Sequence, residues 1–339
     1  MPFKLKPSID DVARLAGVST ATVSRSLNEP HRVKPVTLKR VRSAVDQLGY
    51  TPHFGGRALA SNKTNTIGAL IPTMDNAIFA RGLQALQETL AQAGVTLLVA
   101  TSGYDPIREA EQIRALIGRG IDGLMLIGTA RPKKTYTLLK QHNIPVVIAW
   151  SFSTDSIYPC VGFDNSAAAI KITDAVLDFG HRQVAMIAGI SEGNDRATDR
   201  IQGVRNALTA RGVALEPSHL IEIPYNLQDA ISAMEALMGL NPRPTAVICG
   251  NDVLAAGALM YAKCAGISVP TDVSVVGFDN IDLAMVTDPP LTTLNVPHRR
   301  MGQTAAELLL ALRNGAKNVT GVEFQPEQVV RKSLGPPKR

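Results

Sequence analysis

The sequence is expected to give a small, all-α N-terminal headpiece of the helix-turn-helix type, followed by an α/β domain of two Rossmann-like lobes. Three observations carry that expectation. The stretch SIDDVARLAGVSTATVSRSLN, residues 8–28, has the caps, apolar spacing and turn of two short helices joined at a sharp bend. From Thr66 onward, short β-branched runs alternate with helical stretches. The excess positive charge is confined to the first 64 residues.

Ser8 can cap the first helix, with Asp11 three residues on as the acidic partner of a capping box. Val12, Leu15 and Ala16 follow at i, i+3, i+4 as one apolar stripe, and Gly17 stands where a helix end needs a left-handed residue. Ser19 caps the second helix, in which Val23 and Leu27 point inward. That leaves Thr20, Ala21, Thr22 and Arg25 outside, near the helix N-terminus, where such a motif meets base edges in the major groove. Arg25 can pair bidentately with guanine, and the methyls of Thr20 and Ala21 can meet thymine methyls. Ser19, Thr22 and Asn28 suit phosphates, which position the helix without specifying sequence.

The ordered run of caps, Gly-Val-Ser turn, TVSR and LGYTP resembles the headpiece of the LacI family of bacterial transcriptional regulators. TLKRVRSAVDQLGYTP, residues 37–52, is similar to the family's third helix. The resemblance implies a headpiece over 1–52, a hinge helix over 53–65 and an effector-binding, dimerising domain over 66–339. In the family the hinge helix forms on DNA and pushes a leucine into the minor groove. Leu59 holds the matching position, with Arg57 and Ala58 ahead of it. An apolar wedge between base steps is a reasonable way to kink DNA. His53 stands where asparagine is usual and Gly56 where alanine is usual. Gly55 and Gly56 together cost a helix on the order of 1–2 kcal/mol, so its folding on DNA is expected to be weaker or easier to switch off.

The strand-like runs are TIGALIPT, VTLLVAT, IDGLMLIG and IPVVIAW, then QVAMIAG, LIEIP, TAVICG and VSVVGF. Helical segments lie between them, near 77–93, 106–118 and 132–142, then near 165–179, 196–211, 227–239 and 252–265. Near-continuous apolar strands alternating with helices mean parallel sheets covered on both faces. PPLTTLNVPHRRMGQTAAELLLALRNG, residues 289–315, adds a short strand and a long amphipathic helix. By resemblance to the family, this is the return crossing of a periplasmic-binding-protein type of fold, with three crossover segments. Lobe one would then cover about 66–162 and 290–321, and lobe two about 163–289 and 322–339. The tail LGPPKR carries no leucine heptads, so a homodimer is expected without a tetramerising coiled coil.

At 339 residues, 45% apolar and 19% charged, the chain has the balance of an ordinary globular protein with two or three domains. Residues 1–64 hold 11 Lys and Arg against 4 Asp and Glu, a balance of +7, while the remainder carries 24 against 25. Charge placed that way favours a phosphate backbone and predicts steep salt dependence. No apolar run is long enough to span a membrane, and MPFKLKPSID lacks the apolar core of a signal peptide. Cys160, Cys249 and Cys264 form no close pair, so reduced thiols and a cytoplasmic location are expected. The six histidines lack ligand spacing, so neither metal nor cofactor is expected. The motifs G-x-x-x-x-G-K-[ST] and H-E-x-x-H are missing, which argues against an enzyme. A sugar-binding protein without an operator is the competing class, and the basic headpiece argues against it.

Candidate effector residues sit at strand ends, where α/β sheets bind ligands. Arg200 opens a helix and matches the family arginine that holds a sugar hydroxyl or carboxylate, a grip that suits a planar guanidinium. Asn251 and Asp279 end two neighbouring strands, while Asp252 is expected to cap the helix that follows. In the first lobe Asn76, Phe79 and Tyr104 follow strands, and Trp150, the only tryptophan, ends one. PCVGFDN, residues 159–165, places Asp164 with them and resembles the gluconate-responsive branch, so a sugar or sugar-acid effector is expected. The loop GISEGN, residues 189–194, follows a strand but is too weak a signal for a nucleotide site. The resemblance as a whole implies a homodimeric repressor on a palindromic DNA operator, controlled by a small molecule and with no membrane partner.

Overall fold

The computed structural model describes residues 7–51 and 63–338, which fall into two compact units, Met1–Thr64 and Asn65–Arg339. In the first unit, α1 (Ile9–Ala16), α2 (Thr20–Asn28) and α3 (Pro35–Leu48) enclose a core of Val12, Ala13, Ala16, Val23, Val41, Ala44 and Tyr50. The capping box forms as expected: the Ser8 amide donates to Asp11 Oδ2 at 2.9 Å, and the Asp11 amide donates to Ser8 Oγ at 3.2 Å. Gly17 takes φ 63°, a left-handed conformation that a Cβ would oppose. One expectation fails. Leu15 is 46% exposed, and Ala13 takes its place in the core. At about 100° per residue, the arc through Val12, Ala16 and Ala13 is centred on the far side of Val12 from Leu15. The third helix also begins earlier than its resemblance suggested, because Pro35 is pre-set for a first helical turn.

The second unit contains two parallel sheets. The first has the order β11-β5-β4-β3-β1-β2, built from β1 (Thr66–Ile71), β2 (Thr96–Thr101), β3 (Gly123–Ile127), β4 (Val146–Ala149), β5 (Cys160–Gly162) and β11 (Val322–Glu323). Its crossovers carry α4 (Ala77–Gln92), α5 (Pro106–Gly118) and α6 (Lys133–Gln141). The second sheet has the order β7-β6-β8-β9, from β6 (Val184–Gly189), β7 (Leu220–Ile223), β8 (Ala246–Cys249) and β9 (Ser274–Val276). Around it lie α7 (Asn165–Asp178), α8 (Asp195–Ala210), α9 (Leu227–Met238), α10 (Asp252–Cys264) and the short α11 (Leu283–Val286).

The lobe boundaries shift from those expected at 290 and 321. β10 (Thr293–Asn295) stays with the second sheet: the Gly277 amide donates to the Thr292 carbonyl and the Asp279 amide to the Leu294 carbonyl, each at 2.9 Å. Val322 and Glu323 instead join the first sheet beside β5, before β12 (Glu327–Val329) pairs antiparallel with β10. Both edge strands offered unpaired backbone groups, which these short segments satisfy. The chain thus crosses between lobes after β5, between β10 and α12 (His298–Arg313), and between β11 and β12. One apolar core runs through both lobes, with Phe163 and Phe278 stacked 5.9 Å apart where they join. Helices α4 and α12 touch backbone to backbone. A Cβ on Gly302 would overlap the Gly82 carbonyl oxygen, and one on Gly82 would overlap the Trp150 indole. Among the described residues, no helix is long and apolar enough to cross a membrane.

Candidate functional site

In the headpiece, the Thr22 amide donates to Ser19 Oγ at 3.2 Å, which caps α2 and satisfies one of its free amides. Thr20, Ala21 and Arg25 are exposed along one side of that helix, with Ser19 and Asn28 also exposed and Thr22 half-buried. Every lysine and arginine between residues 7 and 51 is exposed. Ser19→Ala is expected to cost α2 about 1 kcal/mol, seen as roughly fivefold faster hydrogen exchange of its first-turn amides. Unchanged exchange there would mean that the cap does not hold the helix.

Between the lobes of the second unit lies a cleft with a mouth of about 740 Å³ and an inner end of only about 20 Å³, room for about one water. Asn76, Phe79, Tyr104, Trp150, Arg200, Asn251 and Asp279 all line the inner end, as the strand-end argument expects. Tyr104, Trp150 and Asp279 hold positive φ values of 62°, 61° and 106°, backbone conformations that are costly outside glycine and cluster at functional sites. Arg200 is the organising cation. Its Nε donates to Asn165 Oδ1 at 2.9 Å, its Nη1 donates to the Gly250 carbonyl at 2.6 Å, and its guanidinium lies 3.7 Å over the Phe278 ring. Nη2 stands 3.9 Å from Asp279 Oδ1. Trp150 stacks on His298 and donates to its Nδ1 at 3.0 Å. The remaining His298 nitrogen is 3.7 Å from Asp279 Oδ1, too far for a hydrogen bond, and neither atom has a hydrogen-bond partner among the described residues.

The first unit matches the family model for bacterial regulatory proteins of the lacI family over residues 8–53, and residues 173–334 match a periplasmic binding protein-like domain. The chain is 34% identical over 334 residues to the HTH-type transcriptional repressor PurR of Photobacterium profundum, covering 96% of this chain and 98% of the relative. The chain belongs to the LacI family. It is also 35% identical to the repressor CytR of Escherichia coli over 91% of this chain and 90% of that one. A LacI-family regulator from Silicibacter pomeroyi has the same fold, with a TM-score of 0.90 at 25% identity over 97% of this chain and 99% of that one. As a LacI-family member the protein is a DNA-binding transcriptional regulator and not an enzyme.

Three sequence expectations about the cleft are corrected. Asp164 is exposed and does not line it; its carboxylate accepts the Ala167 amide at 2.9 Å as the cap of α7. The neighbouring Asn165, one position further into the helix, is buried and holds Arg200. Arg200 itself lies in the second turn of α8, not at its start. The cap of α10 is Asn251, whose Oδ1 accepts the Leu254 amide at 2.9 Å, and not Asp252. Asp252 is buried one step on, where it accepts the Thr293 hydroxyl at 2.6 Å and the Ile281 amide at 2.8 Å. Asn194, Arg196 and Tyr225 line the inner end without having been expected there. The GISEGN loop was the available signal for Asn194, and Tyr225 follows β7 by two residues.

Burial pushes Asp279 up to about 8 against the pull of Arg200, and pushes Asp252 up to about 7 against its hydrogen bonds. Burial and then Arg200 drive His298 down to about 3, so His298 is neutral and forms no ion pair with Asp279. A raised carboxyl keeps its proton in the folded state after the unfolded chain has lost it, so stability falls as pH rises toward the folded value. A depressed histidine does the opposite, but only until the unfolded histidine is neutral, near pH 6.5. Between pH 6.5 and 8 the carboxyls act alone. Urea denaturation should therefore show stability falling by on the order of 1 kcal/mol across that window. A rise would contradict the burial of protonated Asp252 and Asp279.

Proposed function

We propose that the protein is a cytoplasmic, homodimeric repressor that binds a palindromic DNA operator, with its operator affinity set by a small molecule in the interlobe cleft. The observation that carries this reading is the capped N-terminus of α2, which leaves Thr20, Ala21 and Arg25 open to base edges in a unit rich in exposed cations. Ser19, Thr22 and Asn28 flank them as phosphate contacts. Arg57, Ala58 and Leu59, the minor-groove hinge residues of this reading, lie outside the described residues. Dimerisation is supported by exposed apolar side chains on two packed helices of the second lobe, Met260 on α10 and Met285 and Val286 on α11. The cleft offers the effector polar groups from both lobes, with Asn76 and Tyr104 on one side and Arg200 and Asp279 on the other. Such a ligand moves operator affinity only through a difference in its affinity for the DNA-competent and incompetent states.

Selection from random duplexes followed by gel shifts at two salt concentrations tests the reading. A palindromic site should be enriched, and its affinity should fall by about a thousandfold between 50 and 200 mM salt. Absence of any enriched palindrome would sink it. Arg25→Ala should cost about 1–3 kcal/mol on the selected site and relax the preference at one base pair per half-site. A loss that is uniform across sequences would instead make Arg25 a phosphate contact.

A further inference from the structure

The start of α8 in the second lobe docks on the turn that follows β3 in the first, and neither segment belongs to a crossover. The Thr129 amide and hydroxyl both donate to Asp195 Oδ2, at 2.5 and 2.9 Å. Asp195 Oδ1 is held at 2.8 Å by Arg196 Nη1, from its own lobe. Both charged side chains are almost wholly out of water. Against the upward push of burial, Arg196 and the Thr129 hydrogen bonds keep the Asp195 carboxyl below the usual carboxylate range. The bonds across the lobes are therefore charge-assisted.

The turn is built to present these donors. Its carbonyls are taken within the first lobe: Arg131 donates to the Ile127 and Gly128 oxygens, and the Tyr136 hydroxyl to the Thr129 oxygen at 2.6 Å. Glu109 holds Arg131 in place at 2.9 Å. The Thr129 N–H and O–H are left for the other lobe. Gly128 has φ 71°, and a Cβ there would overlap the Arg196 guanidinium and the Asp195 carboxylate. Only glycine lets the lobes approach so closely. The dipole of α8 also favours an acid in its first turn, but a carboxylate in water would satisfy that. Asp195 is instead buried against a residue 66 positions away. A second ion pair between the lobes, Arg81 on α4 with Asp282 before α11 at 2.6 Å, leaves Asp282 82% exposed, where such a pair is worth little.

We propose that Asp195 and Thr129 form an interlobe latch, made when the cleft shuts and broken when it opens, which sets the fraction of closed protein. A bond between two bodies that part about a hinge is lost whole, so its full strength counts toward closure. An effector gripped from both lobes binds in proportion to the closed fraction. That consequence rests on the reading of the cleft as the effector site.

Trp150 is the only tryptophan, is 1% exposed and lines the inner end of the cleft, so acrylamide quenching of its emission reports opening. Quenching is measured on the full-length protein, well below its melting temperature. Thr129→Val removes only the hydroxyl bond and should raise the quenching constant about threefold, and Asp195→Ala should raise it about tenfold. Thr129→Ser should behave as the unaltered protein. In Asp195→Ala/Thr129→Val the valine should add nothing, because the hydroxyl has already lost its partner. Asp282→Asn should leave quenching unchanged. Unchanged quenching in Thr129→Val and Asp195→Ala overturns the latch. So does a double variant that multiplies the two single effects, or an equal rise in Asp282→Asn. Gel shifts of the same variants on the selected operator separate the latch from the effector reading. Operator affinity that tracks quenching supports both. Opening with unchanged operator affinity leaves the latch standing and overturns the cleft as the site of control.

Discussion

Arg200→Ala is expected to destabilise the effector domain by about 3–5 kcal/mol and to abolish the effector response, while basal operator binding survives. The side chain joins three segments that meet where the lobes join: the start of α7 through Asn165, the end of β8 through the Gly250 carbonyl, and the turn after β9 through Asp279. Its removal leaves two buried acceptors unpaired, each worth about 1–3 kcal/mol. It also strips Phe278 of a desolvated cation–π contact of roughly 2 kcal/mol. Arg200→Lys should fall between the two, because an ammonium keeps the charge but cannot fork between Asn165 and Gly250. Urea denaturation of the full-length chain measures the loss, and a gel shift with and without ligand measures the response. A loss below about 1 kcal/mol would mean that solvent satisfies these groups as well as Arg200 does.

Gly302→Ala should cost a net 1–3 kcal/mol, even though alanine favours a helix over glycine by about 1 kcal/mol. The new methyl would meet the Gly82 carbonyl, and backbone cannot rotate out of the way as a side chain can. Helices α4 and α12 would have to separate, disturbing Trp150 at the inner end of the cleft and the His298 ring stacked on it. Gly118→Ala is the matched control. Gly118 is exposed at the end of α5 with open space around it, so the same substitution should stabilise by up to about 1 kcal/mol. Equal effects at the two positions, read from melting temperatures, would dismiss the close crossing as a source of constraint.

Much of this architecture was legible because strand and helix periods differ and because caps are local. Ser8, Asp11, Gly17 and Ser19 all act on backbone within four residues, so their roles could be read from spacing alone. The parallel strands were visible as apolar runs, and their ends led to Trp150, Asn251 and Asp279. What could not be read depended on a single helical step or on distant pairing. Asp164 and Asn165 are neighbours, yet one caps in solvent and the other is buried against Arg200, 35 residues away. Val322 and Glu323 form a strand only because β5, 161 residues earlier, leaves an edge open. Asn194 and Arg196 lie where a loop turns into α8, and only the approach of the first lobe makes them part of a cleft.

The walls of the cleft are largely helix beginnings. Asn76, Asp105 and Asn251 each spend a side-chain oxygen on the first turn of α4, α5 or α10. Exchanging one of these residues to suit a new ligand would unseat a helix as well. Tyr104, Asn194 and Tyr225 carry no such obligation, since none of the three caps a helix with its side chain. Divergence among descendants of this protein can therefore proceed at those three positions while the scaffold stays whole. A regulator built this way can be retuned to a different metabolite in small steps, each step passing through a folded intermediate sequence.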